Sequence, residues 1–510
     1  MRVGIAKSVT KTFYSSGAMR NAIALCAVVF SSTIALGAMS ISKADDAETT
    51  SSEQSTSPLA YLENSYNETA SIARSLWEFA ELGYLEKKSS GLLKKKLTAA
   101  GFAVAEGVAD IPTAFVAEYK SATPEQGPVI AVLAEFDALP GINQDAVPDR
   151  SPIPGKGAGH ACGHNLFGAG SVQAAIAIKD WMERTGTNGT IRLYGTPAEE
   201  GGSGKVYMVR AGLFDDVDVT FHWHPGAQNT AAAFTSLANR SAKFRFKGVS
   251  AHAAGAPDKA RSALDGVEAM NYMVNMMREH VPQETRIHYV ITKGGLAPNV
   301  VPDFAEVFYY VRHPSAREVT EIWKRLEAAA EGAAKGTGTD VSWEIIHGNH
   351  PLVVNEVLAK MVDRKLREVG GLSYTDEERA FASTLYKTLD APRSAIGDEE
   401  KVDRYEIGLG YGSTDVGDVS IATPTVGFRT ATWVPGTSAH SWQAVAASGH
   451  SIGFKGAHNA AKVLTLAAVE LFENDDLLAR AKAEFRATLG DGFVYEPLLG
   501  DREPPLDYRK

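Results

Sequence analysis

The chain has 510 residues, enough for two or three domains. Hydrophobic residues make up 44% and charged residues 22%, the balance of an ordinary globular protein. A net charge of -10 and a pI near 5.8 leave no basic footprint, which argues against a nucleic-acid binder.

Arg2, Lys7, Lys11 and Arg20 precede an apolar run from Ala22 to Met39, and Ser42-Lys43-Ala44 supplies the small residues of a cleavage site. A signal peptide over 1–44 is expected, and with it a periplasmic or secreted protein. Ser31, Ser32, Thr33 and Gly37 dilute the run, which weighs against a retained anchor. Met19 is a second candidate start. Residues 45–57 are rich in Ser, Thr and Glu and read as a disordered linker. Cys26 leaves with the leader, so Cys162 is the one remaining thiol and no intrachain disulfide forms.

From Leu62 to Ala100, apolar residues recur at helical spacing. The run 129–134 is continuously apolar, the pattern of a strand buried on both faces. It delivers Glu135 and Asp137 to the position where open α/β sheets place their sites. The stretch His160-Ala161-Cys162-Gly163-His164-Asn165 is the one around which the rest of the chain is organised. On a helix Cys162 and His164 would diverge by about 200°, whereas in a loop both reach one small volume. A thiolate and an imidazole together favour zinc or a similar divalent ion. A buried helix is expected from Gly168 to Met182. The strand 190–195 then delivers Glu199 and Glu200, followed by glycines, and the strand 217–221 delivers His222 and His224. Either histidine could be a ligand, and His224 is favoured.

From about 241 to 350 the order is strand, helix, strand, strand, helix, strand. That is a split βαβ, ferredoxin-like module inserted into a larger α/β domain. The expected layout is catalytic domain 58–240, inserted domain 241–350, catalytic domain 351–490 and tail 491–510. Residues 372–409 are polar and weakly periodic and read as an insertion. A helix at 355–368, a strand at 425–428 and a closing helix at 456–472 complete the pattern.

A cysteine, several histidines and a Glu pair, each at a strand end or in a glycine-marked loop, match the ligand demand of two neighbouring divalent metals. The motifs EFDALPG (135–141), GHACGHN (159–165), TPAEEGG (196–202), WHPG (223–226), GVSAHAA (248–254), NVVPD (299–303), GSTDVGDVS (412–420) and HSWQ (440–443) occur in this order. The stretch from about 62 to about 484 thereby resembles the aminoacylase/carboxypeptidase family of dinuclear metallopeptidases. Within it, the chain is similar to the amidohydrolase branch that includes auxin-conjugate hydrolases and the B subunit of aminobenzoyl-glutamate hydrolase.

The resemblance implies a mixed-sheet α/β/α catalytic domain with an inserted lid or dimerisation domain. It implies two divalent ions, Zn or Mn, held by Cys162, His164, Glu200, His224 and His440. Glu199 would be the general base. His252 would stabilise the oxyanion, often across a dimer. Asn299 and Arg312 would hold the substrate, and Asp137 would support the metals. Most of the wider family has a histidine where Glu135 stands, which leaves the role of Glu135 open. His160, His222, His313 and His347 read as structural. The implied activity is hydrolysis of the amide of an N-acyl or aroyl amino acid, by a homodimer with or without a companion subunit. The alternatives are a carboxypeptidase or dipeptidase, an auxin-type conjugate hydrolase and, from another class, an inactive metal- or peptide-binding periplasmic protein. Retention of Glu199 argues against the last.

Overall fold

The structure, a computed structural model, describes residues 56–231 and 233–509. The expected leader and nearly all of the linker lie outside the described residues. The chain opens with helices α1 (Tyr66–Phe79) and α2 (Lys87–Ala99). Strands β1 (Ala103–Glu106), β2 (Phe115–Lys120) and β3 (Val129–Ala134) follow. Next come α3 (His164–Thr185), β4 (Thr190–Gly195), α4 (Gly204–Arg210), β5 (Val219–Phe221) and the short β6 (His224–Gly226).

The chain then builds a second sheet from β7 (Ala238–Lys247), α5 (Ala263–Met277), β8 (Arg286–Lys293), β9 (Phe304–His313), α6 (Ala316–Thr337) and β10 (Asp340–Asn349). It returns through α7 (Glu356–Val369), α8 (Asp376–Tyr386), α9 (Val416–Ala422), β11 (Thr425–Val426) and β12 (Arg429–Ala431). Helices α10 (Trp442–Ser448), α11 (Ser451–Phe472) and α12 (Asp475–Leu489) close the chain.

The main sheet runs β1-β2-β4-β3-β5-β11. The four strands from β4 to β11 are parallel; β2 is antiparallel to β4, and β1 to β2. Residues 130–134 of β3 are fully buried because parallel strands carry helices on both faces. Helices α3 and α11 pack on each other, and α3 also packs on β3 and β4. The carboxyl ends of β3, β4 and β5 therefore open on one edge, where Glu135, Asp137, Glu199, Glu200 and His224 emerge.

The second sheet is wholly antiparallel, in the order β8-β9-β7-β10. Its own core includes Phe244, Val307, Tyr309, Trp323 and Leu326. Helix α6 shows why the segment folds: Val319, Ile322, Trp323, Leu326 and Ala330 recur on one face and are buried. Ser315 caps its start by accepting from the Glu318 amide, and Gly338, at φ 67°, ends it. This order of strands and helices is the one expected of the ferredoxin-like insertion.

Two local differences from the sequence expectation stand out. Helix α3 begins at His164 rather than Gly168, because Gly163 supplies a left-handed cap. The stretch 372–409 contains α8, started by a reciprocal Thr375–Glu378 capping box. Leu372, Tyr374, Phe381 and Leu385 bury against Val434 and Ile452. An apolar stripe this short carries too little periodicity to be read from sequence. Among the described residues, no helix is long and apolar enough to cross a membrane.

Candidate metal centre and active site

Gly163 makes the turn that brings Cys162 and His164 together. Its φ is 76°, and a Cβ there would stand 2.6 Å from Pro225 Cβ, so a side chain is excluded. Cys162 thus lies just outside α3 while His164 is its first residue. A continuous helix would have turned the two apart.

Cys162 Sγ lies 3.5 Å from His224 Nε2. His224 Nδ1 donates to the Pro225 carbonyl at 2.7 Å, which leaves Nε2 facing the thiol. On the other flank the His440 ring stands beside the thiol, its donor nitrogen within 4.8 Å of Sγ. Its Nε2 is 3.2 Å from Glu200 Oε1. The His440 amide donates to the Ala161 carbonyl at 2.9 Å, tying this distant loop beside Cys162. His164 Nδ1 donates to Asp137 Oδ1 at 2.9 Å, and its Nε2 is 3.0 Å from Glu135 Oε2. Asp137 uses its other oxygen to accept from the Glu200 amide, also at 2.9 Å.

Cys162, His164 and His224 offer donor atoms all within 4.8 Å of one another, as do Cys162, Glu200 and His440. The thiol is common to both triads. Glu135, His164 and Glu199 form a further group of the same kind. A thiol, imidazoles and carboxylates suit zinc or manganese. Glu135 Oε2, His164 Nε2 and Glu200 Oε1 are buried and have no hydrogen bond beyond the ionic contacts His164–Glu135 and His440–Glu200. Such atoms call for a ligand. The residues present therefore fit divalent metal, and Asp137 orients the His164 ring from behind.

The electrostatics reflect crowding. Burial, then repulsion from Glu135, Glu200 and Asp415, pushes the Glu199 carboxyl well above its usual range. Burial opposes a charged His164, but Glu135, Cys162 and Asp137 outweigh it and raise its pKa well above the usual value. His440 is raised to about 10 by its hydrogen bonds to Cys162 and Glu200. His224 is pushed well down by burial, then by the cations Arg429 and His164.

Lys205 is the cation within this acidic cluster. Its side chain is fully buried, with Nζ 2.7 Å from Glu135 Oε1 and 2.7 Å from Asp415 Oδ1. Glu86 supports the loop after β4: it accepts from the Ala198 amide at 2.9 Å and from the Thr113 hydroxyl at 3.0 Å. Arg429 sits beside His224 in register on the paired strands β6 and β12. No sequence argument singled out Lys205, Glu86 or Arg429. Asp415 lay within the GSTDVGDVS motif without an assigned role.

The structure brings Cys162, His164, Glu199, Glu200, His224, His440 and Asp137 together. Arg312 lies on β9 of the second sheet instead, and His252 and Asn299 lie on loops between elements of that second unit. His252 is exposed, and its Nδ1 accepts from the Ala254 and Gly255 amides. Asn299 is exposed on the adjoining loop, and its carbonyl accepts from the Ala253 amide. Arg312 lies over the Tyr310 ring, 5.4 Å from its centre. Among the described residues, no hydrogen bond or ion pair joins these three to the Cys162 cluster. His160 is buried and bonds the Leu76 carbonyl and the Asn165 amide. His347 bonds Asn239 and Asn349, and His313 accepts from the Ser315 amide. His222 Nε2 is buried without a partner.

A parallel sheet edge carrying two overlapping donor triads beside a half-buried glutamate is the site of a metal-dependent hydrolase. The profile of Peptidase family M20/M25/M40 matches residues 131–400, and the chain belongs to that family. It is 39% identical over 441 residues to the B subunit of p-aminobenzoyl-glutamate hydrolase from Escherichia coli (strain K12), covering 81% of this chain and 91% of that one. It is 29% identical over 430 residues to the Xaa-Arg dipeptidase of Mus musculus, covering 82% and 89%. A dinuclear metal-binding M20 peptidase from Bacillus subtilis shares the fold, with a TM-score of 0.55 at 18% identity over 80% of this chain and 98% of that one.

Proposed function

We propose that the chain is an amidohydrolase that cleaves the amide bond of an N-acyl or aroyl amino acid, with aminobenzoyl-glutamate the first substrate to test. The observation that carries this reading is the pair of donor triads sharing Cys162, with Glu199 beside them. The similarity to one subunit of an aminobenzoyl-glutamate hydrolase over most of both chains supports the substrate class.

Two divalent ions, Zn or Mn, would be held by Cys162, His164 and His224 and by Cys162, Glu200 and His440, supplying water activated near neutral pH and positive charge for the oxyanion. Glu199 accepts the proton of the attacking water and returns it to the leaving amine nitrogen. Asp137 fixes the His164 ring and the Glu200 backbone. Arg312 suits the free carboxylate of the amino-acid half.

His252 and Asn299 would complete the site from the loops beside the second sheet, in the same copy or a second one. Homodimerisation fits the edge position of β8, whose Val290 and Ile291 are exposed, and the exposed Tyr272 and Met276 of α5. Export to the periplasm or medium is part of this reading and rests on the sequence of residues 1–44 alone. A dipeptidase is the second reading, favoured by the similarity to the Xaa-Arg dipeptidase.

The test is hydrolysis of aminobenzoyl-glutamate by the protein loaded with Mn²⁺ or Zn²⁺, beside Glu199→Gln. The parent should turn over, and the variant should lose about 10²–10⁴-fold in kcat with its metal content unchanged. A parent that binds metal but cleaves only dipeptides would favour the second reading. A parent that binds no metal would refute both.

A further inference from the structure

The loop carrying Glu199 and Glu200 is strained. Ala198, a non-glycine residue, has φ 59°, and Ser203 at the far end has φ 58°. Such conformations persist only when their surroundings hold them. Glu86 holds the Ala198 amide and Asp137 holds the Glu200 amide. A third support comes from the far end of the chain. Arg509 Nη2 donates to the Glu200 carbonyl at 2.6 Å, and the Tyr508 hydroxyl donates to the same oxygen at 3.3 Å. The Arg509 guanidinium also lies over the Tyr508 ring, 4.8 Å from its centre. That ring meets the Tyr84 ring edge-on at 5.6 Å, and the Tyr84 hydroxyl donates to the Gly202 carbonyl at 2.6 Å.

The segment reaching this point is itself anchored. The Tyr495 hydroxyl donates to Asp418 and His350 donates to the Glu496 carbonyl. Leu498 and Leu499 are buried, and Leu499 lies against Gly348 of β10. Arg210 on α4 donates to the carbonyls of Asp501 and Arg502. The tail thus crosses from the second sheet over α4 to the back of the Glu200 peptide.

We propose that Tyr508 and Arg509 are positioning residues for Glu200: they fix its peptide so that its carboxylate stands at Cys162 and His440. Built on the dinuclear reading, the proposal selects one ion. The Cys162–Glu200–His440 triad depends on the tail, whereas the Cys162–His164–His224 triad does not. Loss of a group that orients a metal ligand costs about 10–100-fold in affinity or activity.

The experiment compares the full chain with Tyr508→Phe/Arg509→Met and with Arg509→Lys. Metal-stripped protein is titrated with Mn²⁺ by calorimetry, and the amides of 198–204 are followed by hydrogen exchange without metal. In the double variant one binding step should weaken about 10–100-fold with the other unchanged, and loop exchange should accelerate. Arg509→Lys should restore much of both, since an ammonium still donates to the carbonyl. Equal weakening of both steps, with a matching loss of metal-free thermal stability, would reduce the tail to general packing and overturn the proposal. Unchanged loop exchange in the double variant would overturn it too, even if the parent bound no metal and the dinuclear reading failed on its own.

Discussion

Lys205 offers the sharpest test of how this site is held. Its ammonium is fully buried between Glu135 and Asp415, 2.7 Å from each. At an effective dielectric of about 20, each 2.7 Å contact has a gross Coulomb attraction of ~6 kcal/mol. Most of that attraction offsets the cost of taking three charges out of water. Replacing Lys205 by Met keeps most of the side-chain volume but strands two carboxylates, and one of them, Glu135, also faces His164 and Glu199. Breaking a buried ion pair in this way costs about 3–5 kcal/mol. For the roughly 450 described residues the unfolding entropy is close to 1 kcal/mol/K, so the midpoint should fall by about 3–5 °C. The assay is calorimetric melting of metal-free protein at pH 7. Adding Asp415→Asn neutralises one stranded carboxylate and should recover about 1–3 kcal/mol. A Lys205→Met protein that melts with the parent would refute the reasoning. So would a double variant destabilised by the full sum of the two single changes.

Cys162→Ser should weaken both metal-binding steps in a titration, because the thiol belongs to both triads, whereas His224→Ala should weaken one; a serine variant that still binds both ions as the parent does would show that the thiol is not shared. Glu86 gives a pH test. Burial, then Asp137, pushes its carboxyl well above the 4.5 of a free glutamate. The folded state therefore keeps a proton that the unfolded chain releases. This contribution to stability is complete below about pH 4.5 and is lost as pH rises through the folded value, at up to about 1.4 kcal/mol per pH unit. Glu86→Gln should remove that slope at a cost under about 1 kcal/mol, measured by urea unfolding from pH 4 to 8; a slope unchanged by the substitution would mean that Glu86 is ionised.

Much of this architecture is legible in the sequence because its signals are local. The buried run of β3, the glycine-flanked Glu pair after β4 and the histidines after β5 each declare themselves within a few residues. The strand and helix order from 238 to 349 does the same for the second sheet. Cys162 and His164 are legible because Gly163 lies between them. Illegible were the groups whose meaning depends on a distant partner. Lys205 reads as an ordinary helix residue until β3 and Asp415 close around it. Glu86 follows a stretch with no motif, and its partners, Thr113 and Ala198, lie on other elements. Helix α8 escaped because Phe381, Ala382 and Leu385 form too short a stripe to fix a period.

The same contrast separates the ligands from what aims them. The donor atoms come from motifs, but their geometry comes from long-range closure. His440 stands beside Cys162 with its amide tied to the Ala161 carbonyl, nearly 280 positions earlier. Glu200 is gripped at its amide by Asp137 from β3 and at its carbonyl by Tyr508 and Arg509 from the far end of the chain. A fragment that kept every motif but ended at α12 would retain all the proposed ligands and lose both contacts to the Glu200 carbonyl. With the tail in the positioning role proposed for it, motif content and the geometry of the metal site are separable in this chain. Where they separate is set by hydrogen bonds from distant side chains, Tyr508 and Arg509, to a backbone carbonyl, and these two residues lie outside every motif.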